Sequence, residues 1–481
     1  MKESISARQV GILVGALPPG TAYAGLADKL TLLVGDGRIP LAVRLPSERA
    51  LATALGLSRT TITRAYALLC DSGYARAIQG SGTYTAVPGG RRQAHDRVLV
   101  AGGAGESWID LSCAADSAPA EVMAAYTAAL AALPSYLSGH GYFPSGLPVL
   151  QEAIAATYQA RGLPTSPEQI IVTPGALTAA SIVVRALAPR RGHALIESPT
   201  YPNAAETLRA AGLQLHETPL DAGGWDMAGL MHTIRQIAPD FAYLIPDFQN
   251  PTGAVMGTAQ RRQLGQCLQT HGTVPIVDET HQALALDGQA MPPPFACFNP
   301  DTITLGSMSK VFWGGLRIGW IRAPQTTVGP LTRARMSLDL GVPIVEQLAA
   351  THLQRHGPVS PGQIQRLRAQ RDALVRAVAA HLPDWRFIPP AGGLALWCEL
   401  PHRGATALAA AVAAQQVAVT PGPVFSPNGG LDAFIRLPWS RPVPDLQQAV
   451  ERIAAAWHGL AAHSPAARPD HHNGRIRLVM A

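Results

Sequence analysis

Apolar and polar positions follow two different periods along the chain. Residues 1–86 carry short helical patterns that end in a hairpin-like QGSGTYTA, and the first helix is predicted over Tyr23–Gly35. From about Trp108 to His463, short apolar strands such as IIVTP, HALIES and VPIVDE alternate with helices rich in Ala, Leu and Arg. This alternation predicts an α/β domain with a largely parallel sheet that is covered on both faces.

Two segments without periodicity divide the chain. Residues 87–108 are rich in glycine, arginine and small residues, which predicts a linker, and residues 464–481 are predicted to be a disordered tail. The predicted domains are therefore residues 1–86 and 109–463. A chain of 481 residues exceeds what one hydrophobic core supports, which agrees with more than one domain.

The N-terminal zone contains two short helices joined by a glycine turn. Ser47 begins the first helix, Gly56 makes the turn, and Ser58 caps the second helix. This arrangement is the helix-turn-helix signature of DNA-binding proteins, and residues 74–86 predict a two-stranded wing. A small helical dimerisation domain is the alternative that such a pattern leaves open.

Charge and cysteine usage narrow the class of protein. Residues 1–90 hold nine Lys or Arg against five Asp or Glu, which is compatible with a phosphate-backbone partner. The five cysteines lie far apart without metal-ligand spacing, so we expect neither a disulfide nor a metal site. No apolar run reaches the roughly 18 residues of a membrane span, and the N-terminus makes a poor signal peptide. We therefore expect a cytoplasmic protein without a membrane partner.

The distribution of lysine points to a reactive amine. Lys2, Lys29 and Lys310 are the three lysines among 38 basic residues, so Lys310 is the one lysine beyond residue 29. A primary amine forms a Schiff base with a carbonyl group, whereas a guanidinium does not. The alternative that composition leaves open is codon bias toward arginine, with Lys310 retained by chance.

The sequence around Lys310 contains groups that suit a phosphate. In TLGSMSKVFWGGLRIGW, Ser307 offers a hydroxyl and Arg317 a guanidinium fork. Upstream, Gly175 and Ala176 follow a strand and begin a helix, where free amide groups and the helix dipole attract an anion. These features predict a phosphate site close to the lysine.

Three further side chains suit an aromatic cofactor ring. Asp278 ends an apolar strand, and a protonated pyridine nitrogen would supply the cation that a buried carboxylate requires. Asn250, in PDFQNPTG, is a donor for a ring hydroxyl, and Tyr201, in SPTYPN, offers a flat face for stacking. Each motif alone is explained by a helix cap, a tight turn or a strand end. Together, on the strand ends of an α/β domain, they outline a pyridoxal phosphate site.

The order of these motifs closely resembles the fold-type I aminotransferases over residues 110–460. The resemblance implies a mostly parallel central sheet, a smaller C-terminal α+β subdomain, and pyridoxal 5'-phosphate bound covalently to Lys310. Tyr142, in GYFPSG, matches a tyrosine that reaches the phosphate of the neighbouring subunit, which implies a homodimer. Arg436, in AFIRLPW, matches the arginine that binds the α-carboxylate of an amino acid. The other cofactor contacts that the resemblance implies are Asp278, Asn250, Tyr201, Ser307, Arg317, Gly175 and Ala176.

The N-terminal motifs RLPSER, LGLSRTTITRAY and GSGTY closely resemble the winged helix of the GntR family. The resemblance implies a double-stranded DNA operator as partner, with the tip of the wing at the minor groove. The combination with the large domain resembles the MocR-type subgroup of GntR regulators, which are understood as dimers that sense a ligand through the cofactor domain. The residues implied to face DNA are Arg44, Arg49, Ser58, Arg59, Thr60, Thr61, Arg64, Gly80 and Gly82.

Two positions depart from the aminotransferase pattern. Thr280 and His281 stand where a tyrosine commonly follows the aspartate, which argues against efficient catalysis, and Ala176 stands where a hydroxyl residue is common. We therefore expect a transcription regulator that senses a small amino compound, with Arg436 favouring a carboxylate-bearing effector, and that shows little or no aminotransferase turnover. The alternatives are an active aminotransferase with a secondary winged helix, and a regulator that senses pyridoxal phosphate itself.

Overall fold

Three structural units follow one another in the computed structural model. The model describes residues 4–17, 21–35, 37–88, 108–221, 223–357 and 359–463. The units are a winged helix, a large α/β domain and a smaller C-terminal sheet with its helices. The predicted tail, 464–481, and residues 89–107 of the predicted linker lie outside the described residues.

The N-terminal unit is a group of short helices with a β-hairpin. Its elements are α1 (Ala7–Val14), α2 (Ala22–Gly35), α3 (Glu48–Leu55), α4 (Arg59–Asp71), β1 (Ala75–Ile78) and β2 (Gly82–Thr85). The prediction that Tyr23–Gly35 forms the first helix is wrong, because α1 precedes it. Ser6 caps α1 through the backbone amide of Gln9, and the helix buries Val10 and Val14. Eight residues with two buried positions give too weak a periodic signal to detect.

The predicted helix-turn-helix and wing are confirmed. Ser47 accepts a hydrogen bond from the Ala50 amide at the start of α3, and Gly56 ends that helix in the left-handed conformation with φ 65°. The Ser58 side chain accepts from the Thr61 amide and caps α4. The wing is the antiparallel pair of β1 and β2.

The large domain alternates strands and helices, as its pattern predicts. Its elements are β3 (Ile109–Leu111), α5 (Ala120–Ala132), α6 (Pro148–Ala160), β4 (Ile170–Thr173), α7 (Ala176–Leu187), β5 (His193–Ser198), α8 (Pro202–Ala210), β6 (Gln214–Asp221), β7 (Gly224–Trp225), α9 (Met227–Ile237), β8 (Phe241–Leu244), α10 (Thr258–Thr270), β9 (Val274–Asp278), β10 (Ile303–Ser307), β11 (Gly319–Arg322), α11 (Gln325–Met336) and α12 (Ile344–Arg355). All of these strands except β3 form one eight-stranded sheet in the order β4-β11-β10-β9-β8-β5-β6-β7.

The central sheet is mostly parallel, which confirms the predicted fold class. Strands β10, β9, β8, β5 and β6 run parallel, whereas β11 is antiparallel to both of its neighbours. Four consecutive residues of β4 and of β8 are buried, because helices cover both faces of the sheet. The carboxyl ends of the parallel strands meet at one edge, where ligands of such sheets bind.

The C-terminal subdomain contains the second sheet. Its elements are α13 (Pro361–His381), β12 (Arg386–Phe387), β13 (Ala395–Glu399), α14 (Ala405–Ala413), β14 (Val417–Pro421), β15 (Phe434–Pro438) and α15 (Val443–His463). Strand β3, from the start of the large domain, pairs parallel to β14 and completes a five-stranded sheet. The segment after β3 is thereby brought beside β15. No helix in the described part of the chain is long and apolar enough to cross a membrane.

Candidate functional site

Lys310 and Asp278 lie at the carboxyl edge of the central sheet. Asp278 ends β9, Lys310 follows β10 by three residues, and these two strands are parallel neighbours. The Lys310 Nζ atom donates a hydrogen bond to the Ala114 carbonyl oxygen at 2.8 Å. Burial lowers the pKa of Lys310, and the positive charge of Arg436 adds to this. The neutral amine, which is the nucleophilic form, is therefore favoured.

Three hydrogen bonds hold the carboxylate of Asp278. The Tyr243 hydroxyl donates to Oδ2 at 2.8 Å, and the Thr280 backbone amide donates to Oδ1 at 2.9 Å. The Thr280 hydroxyl also donates to Oδ1. These hydrogen bonds fix the position of the carboxylate, which is the group suited to face a protonated ring nitrogen. Tyr243 could not be identified from the sequence, because an aromatic residue in the apolar strand FAYL is an ordinary core residue.

The predicted phosphate loop and Arg317 are in contact. Gly175 has φ 106° and precedes α7, whose first-turn amides have no intrahelical acceptor. The Arg317 Nη2 atom donates to the Pro174 carbonyl oxygen at 2.7 Å and would lie 2.8 Å from a β-carbon at Gly175. Any larger residue than glycine would therefore displace the guanidinium. At the end of β10, the Ser307 hydroxyl donates to Ser309 Oγ at 3.0 Å.

Arg436 is a buried cation beside Asn250. It lies on β15, and its Nη1 atom donates to Asn250 Oδ1 at 3.1 Å while Nη2 donates to the Ser112 carbonyl oxygen. The guanidinium carbon lies 4.8 Å from the centroid of the Phe425 ring. Among the described residues, no atom accepts a hydrogen bond from Arg436 Nε. Burial lowers the pKa of Arg436 from its ordinary value to about 10, so an anion would stabilise its charge.

His281 is a neutral imidazole in the same region. Its ring lines a small cavity together with Asn250 and Ala114, and in the described part of the chain Nε2 has no hydrogen-bond partner. Burial, followed by the charges of Lys310 and Arg436, lowers the pKa of His281 to about 3. A buried polar atom without a partner is costly, so this nitrogen is suited to a bound ligand.

Two aromatic residues of the predicted site differ in exposure. Tyr201 precedes α8, is partly buried, and accepts a hydrogen bond from Asn203 Nδ2 at 3.0 Å. Tyr142 is 58% exposed and stacks on His140 at the surface, with the ring centroids 5.7 Å apart. The predicted role of Tyr142 requires a second copy of the chain and stays a prediction.

The residues at the sheet edge fit pyridoxal phosphate. Lys310, with its lowered pKa, suits the aldehyde of this cofactor, and Asp278, held by three hydrogen bonds, suits the ring nitrogen. The amides that precede α7, together with Arg317, suit the phosphate. The unpartnered Nε of Arg436 leaves a donor for a ligand, and the unpartnered Nε2 of His281 leaves a second hydrogen-bonding atom. When bound, the cofactor supplies an electron sink. Lys310, Asp278 and Arg436 are the residues on which its chemistry would depend.

The predicted DNA-facing residues divide into structural and exposed groups. The Ser58 hydroxyl caps α4 and also lies within hydrogen-bond distance of the hydroxyls of Thr60 and Thr61. Arg59 is 75% exposed and pairs with Glu48 at 3.5 Å. These contacts give Ser58 a structural role, whereas Arg59, although paired with Glu48, presents most of its side chain to the surface.

The other basic residues predicted to face DNA lie on α4, beside the wing and on α3. Arg64 is exposed on α4, and its guanidinium carbon lies 4.1 Å from the centroid of the Tyr23 ring. The Arg44 Nε atom would lie 2.8 Å from a β-carbon at Gly82, so Arg44 packs against the wing. Arg49 is exposed on α3. Gly80, with φ 73°, and Gly82, with φ 122°, allow the tight turn between β1 and β2.

The winged helix and the cofactor site together define a DNA-binding regulator with an aminotransferase-like domain. The family model of class I and II aminotransferases matches residues 119–453, and the chain belongs to that family. The model of bacterial regulatory proteins of the gntR family matches residues 22–85. Pyridoxal phosphate is the cofactor of this family and of this chain.

Two transcription regulators are similar to most of this chain. The uncharacterized HTH-type transcriptional regulator YisV of Bacillus subtilis is 27% identical over 454 residues, which cover 87% of this chain and 92% of YisV. The probable rhizopine catabolism regulatory protein MocR of Rhizobium meliloti is 28% identical over 397 residues, covering 76% of this chain and 78% of MocR.

A solved structure matches the large domain. The α-aminoadipate aminotransferase LysN of Thermus thermophilus, solved in complex with N-(5'-phosphopyridoxyl)-L-leucine, superposes with a TM-score of 0.68 and is 27% identical. The match covers 74% of this chain and 94% of LysN. The two family models and the similarity to MocR confirm the resemblance to MocR-type regulators.

Proposed function

We propose that the chain is an operator-binding regulator whose cofactor domain senses an amine that carries a carboxylate. The observation that carries this proposal is the presence of Lys310 and Arg436 in one site. Burial lowers the pKa of both side chains, and the positive charge of Arg436 adds to the lowering at Lys310. An amino acid would bring its amine to the lysine side of the site and its carboxylate to Arg436, whose Nε has no partner in the described chain. The carboxylate would remove an unfavourable buried charge.

The exposed face of α4 supports an operator as the partner. Arg59, Thr60, Thr63 and Arg64 are all exposed on the first two turns of this helix. In helix-turn-helix proteins this part of the second helix enters the major groove. Ser58 orients the helix through its cap, so its effect on DNA binding is expected to be indirect.

An exposed apolar surface supports the proposed homodimer. An isolated bridge between Phe143 and Gly341 brings two surface segments together. Large exposed apolar patches mark interaction surfaces. Tyr142 belongs to this group, which agrees with a role for it at the partner's phosphate. The exposed side chains on these segments and on the adjoining helices are Leu130, Leu137, Tyr142, Met336, Leu338 and Leu340.

An active aminotransferase is the second candidate function. The arrangement of Lys310 and Asp278 and the 27% identity to LysN favour it. Thr280 and His281 argue against it, because they stand where a tyrosine commonly follows the aspartate in aminotransferases. We therefore propose slow turnover or none.

One set of measurements separates the two functions. The cofactor-loaded protein is titrated with the standard L-amino acids while cofactor absorption and operator affinity are followed, and turnover is measured with keto acids. A regulator shows an absorption change together with a change in operator affinity. Turnover of about 1 per second or faster, with an operator affinity that ignores the amino acids, would replace the proposal with the enzyme function.

A further inference from the structure

The winged helix contacts the C-terminal subdomain through the end of α2. The Thr406 hydroxyl, at the start of α14, lies 2.7 Å from the Gly35 carbonyl oxygen and 2.6 Å from Asp432 Oδ1. A β-carbon at Gly35 would lie 3.0 Å from Asp432 Oδ2. Ala410, on α14, packs against the hydrophobic core of the winged helix. Helix α2 is therefore docked on α14 by a hydrogen bond and by close packing.

Two further contacts extend this docking surface. A β-carbon at Gly37 would lie 3.4 Å from the Pro423 side chain. Tyr74, which leads into the wing, is partly buried, and its burial together with the charge of Asp432 raises its pKa to about 12. The surface thus joins α2 and the base of the wing to two segments of the subdomain, the α14 start and the turn Gly422–Phe425.

One of these segments, the turn Gly422–Phe425, contacts Arg436, and the loop that holds Asp432 leads into the strand of Arg436. The turn Gly422–Phe425 ends at Phe425, whose ring lies under the Arg436 guanidinium at 4.8 Å. Asp432 precedes Arg436 by four residues along the chain, in the loop that enters β15. The loop and the turn are in direct contact, because a β-carbon at Gly422 would overlap the carbonyl oxygen of Leu431. One compact unit therefore has Arg436 on one side and the docked winged helix on the other.

The arrangement gives a carboxylate ligand a physical means of moving this unit. Arg436 now donates to Asn250 Oδ1 and to the Ser112 carbonyl oxygen. A carboxylate that binds the guanidinium competes with both acceptors and changes where the guanidinium lies on the Phe425 ring. Tightly packed segments shift between discrete arrangements instead of deforming gradually. A ligand changes an equilibrium only when it contacts the two states differently, and this competition supplies such a difference.

We propose that the contact of Gly35 and Gly37 with Thr406, Pro423 and Asp432 is the coupling surface through which ligand binding at Arg436 changes DNA binding. This proposal rests on the proposed function and specifies how its regulation works. The occupant of the surface is the winged-helix domain of this protein. In the docked state the orientation of α4 is restrained by the subdomain, and release or rotation of the contact changes the geometry presented to the operator.

The first experiment detects the contact in the full-length, cofactor-loaded protein. Gly37→Cys combined with Pro423→Cys places two β-carbons about 3.4 Å apart, close to the separation in disulfides. Mild oxidation is expected to link these two positions, as identified by mass spectrometry of the linked peptides. A linked monomer places the contact within one chain, and a linked dimer assigns the same surface to two copies. Gly37 has φ 73°, which strains any other residue, so the fold of the variant is checked by circular dichroism. Failure to link in a variant that is folded like wild type would refute docking.

The second experiment tests coupling with a matched pair of glycine substitutions. Gly35→Ala inserts a methyl group 3.0 Å from Asp432 Oδ2, whereas Gly11→Ala, in α1, meets its nearest atom at 3.7 Å. Both replace a helical glycine by a better helix former. Thr406→Val removes the hydroxyl without a change of shape. The probes are the standard L-amino acids, and the one with the largest effect on wild-type cofactor absorption is used for operator titrations.

The expected result is a loss of coupling with ligand binding retained. Wild type and Gly11→Ala should change operator affinity by about 5-fold or more on ligand addition. Gly35→Ala and Thr406→Val should change it by less than about 2-fold, while the ligand concentration for half-maximal absorption change stays the same. If wild type shows no response, the proposed function fails and the coupling fails with it. If all four proteins respond equally, the proposed function stands and this coupling surface is refuted.

Discussion

Replacement of Arg436 tests the carboxylate preference most directly. Arg436→Gln removes the buried charge and keeps a side chain that can donate to Asn250 or to the Ser112 carbonyl. Burial lowers the pKa of Arg436 from its ordinary value to about 10, so its surroundings disfavour the charged form by about 3 kcal/mol. A bound carboxylate offsets a cost of this size, and two charge-assisted hydrogen bonds of about 1.5 kcal/mol each give a similar figure. We expect Arg436→Gln to weaken amino-acid binding by about 100-fold, since 1.4 kcal/mol corresponds to a factor of ten.

The assay compares an amino acid with the amine that lacks its carboxylate. L-Leucine and 3-methylbutylamine differ in this one group, and each is titrated by the change in cofactor absorption. The substitution should weaken binding of leucine and change binding of the amine by less than about 2-fold. Comparison of two ligands with two proteins isolates the contact between the carboxylate and Arg436. Arg262→Gln, at an exposed position of α10, is the matched control. Equal losses for the two ligands, or no loss for leucine, would refute the assignment of Arg436 to the carboxylate.

Three further predictions concern the cofactor, the operator and pH. In wild type, borohydride should fix the cofactor to the peptide that contains Lys310. Lys310→Ala should lose both this attachment and the visible absorption band, while circular dichroism shows that the variant is folded. If Arg64 contacts a base, Arg64→Ala should weaken operator binding by about 1–3 kcal/mol. If Arg64 contacts a phosphate, the slope of log affinity against log salt concentration should fall in magnitude by about one. Burial raises the pKa of Glu197 from 4.5 to about 7. Between these two values the folded state binds more protons than the unfolded state. The free energy of unfolding should therefore fall by at most about 3 kcal/mol as the pH rises from about 4.5 to 7. Above pH 7 it should change little. Calorimetry of Glu197→Gln should show a flatter dependence on pH.

Matched variants make these outcomes decisive. Lys29→Ala should keep the absorption band, and a band that survives in Lys310→Ala would end the assignment of Lys310. Arg262→Ala should bind the operator normally, and unchanged binding by Arg64→Ala at several salt concentrations would remove Arg64 from the interface. For Glu197, equal pH profiles of the variant and wild type would show that another group titrates.

Short-range signals in the sequence determined the elements and most candidate residues. Ser47, Gly56 and Ser58 mark helix ends because a cap depends on a side chain and an amide three residues away. The strands are similarly local, since burial on both faces produces continuous apolar runs. The single lysine in the large domain, and Asp278 at a strand end, could be selected because parallel strands present their carboxyl ends at one edge.

The tertiary structure alone decided which distant groups meet. Tyr243 reaches Asp278 because β8 and β9 are neighbours in the sheet, and the Ser112 carbonyl reaches Arg436 because β3 joins the second sheet beside β14. Nothing in the local pattern predicts these pairs. The docking of α2 on α14 likewise joins Gly35 to Thr406, 371 residues apart in the chain. Periodicity records which face of an element is buried, but the partner of that face depends on how all the elements pack, and this information is spread over the whole chain.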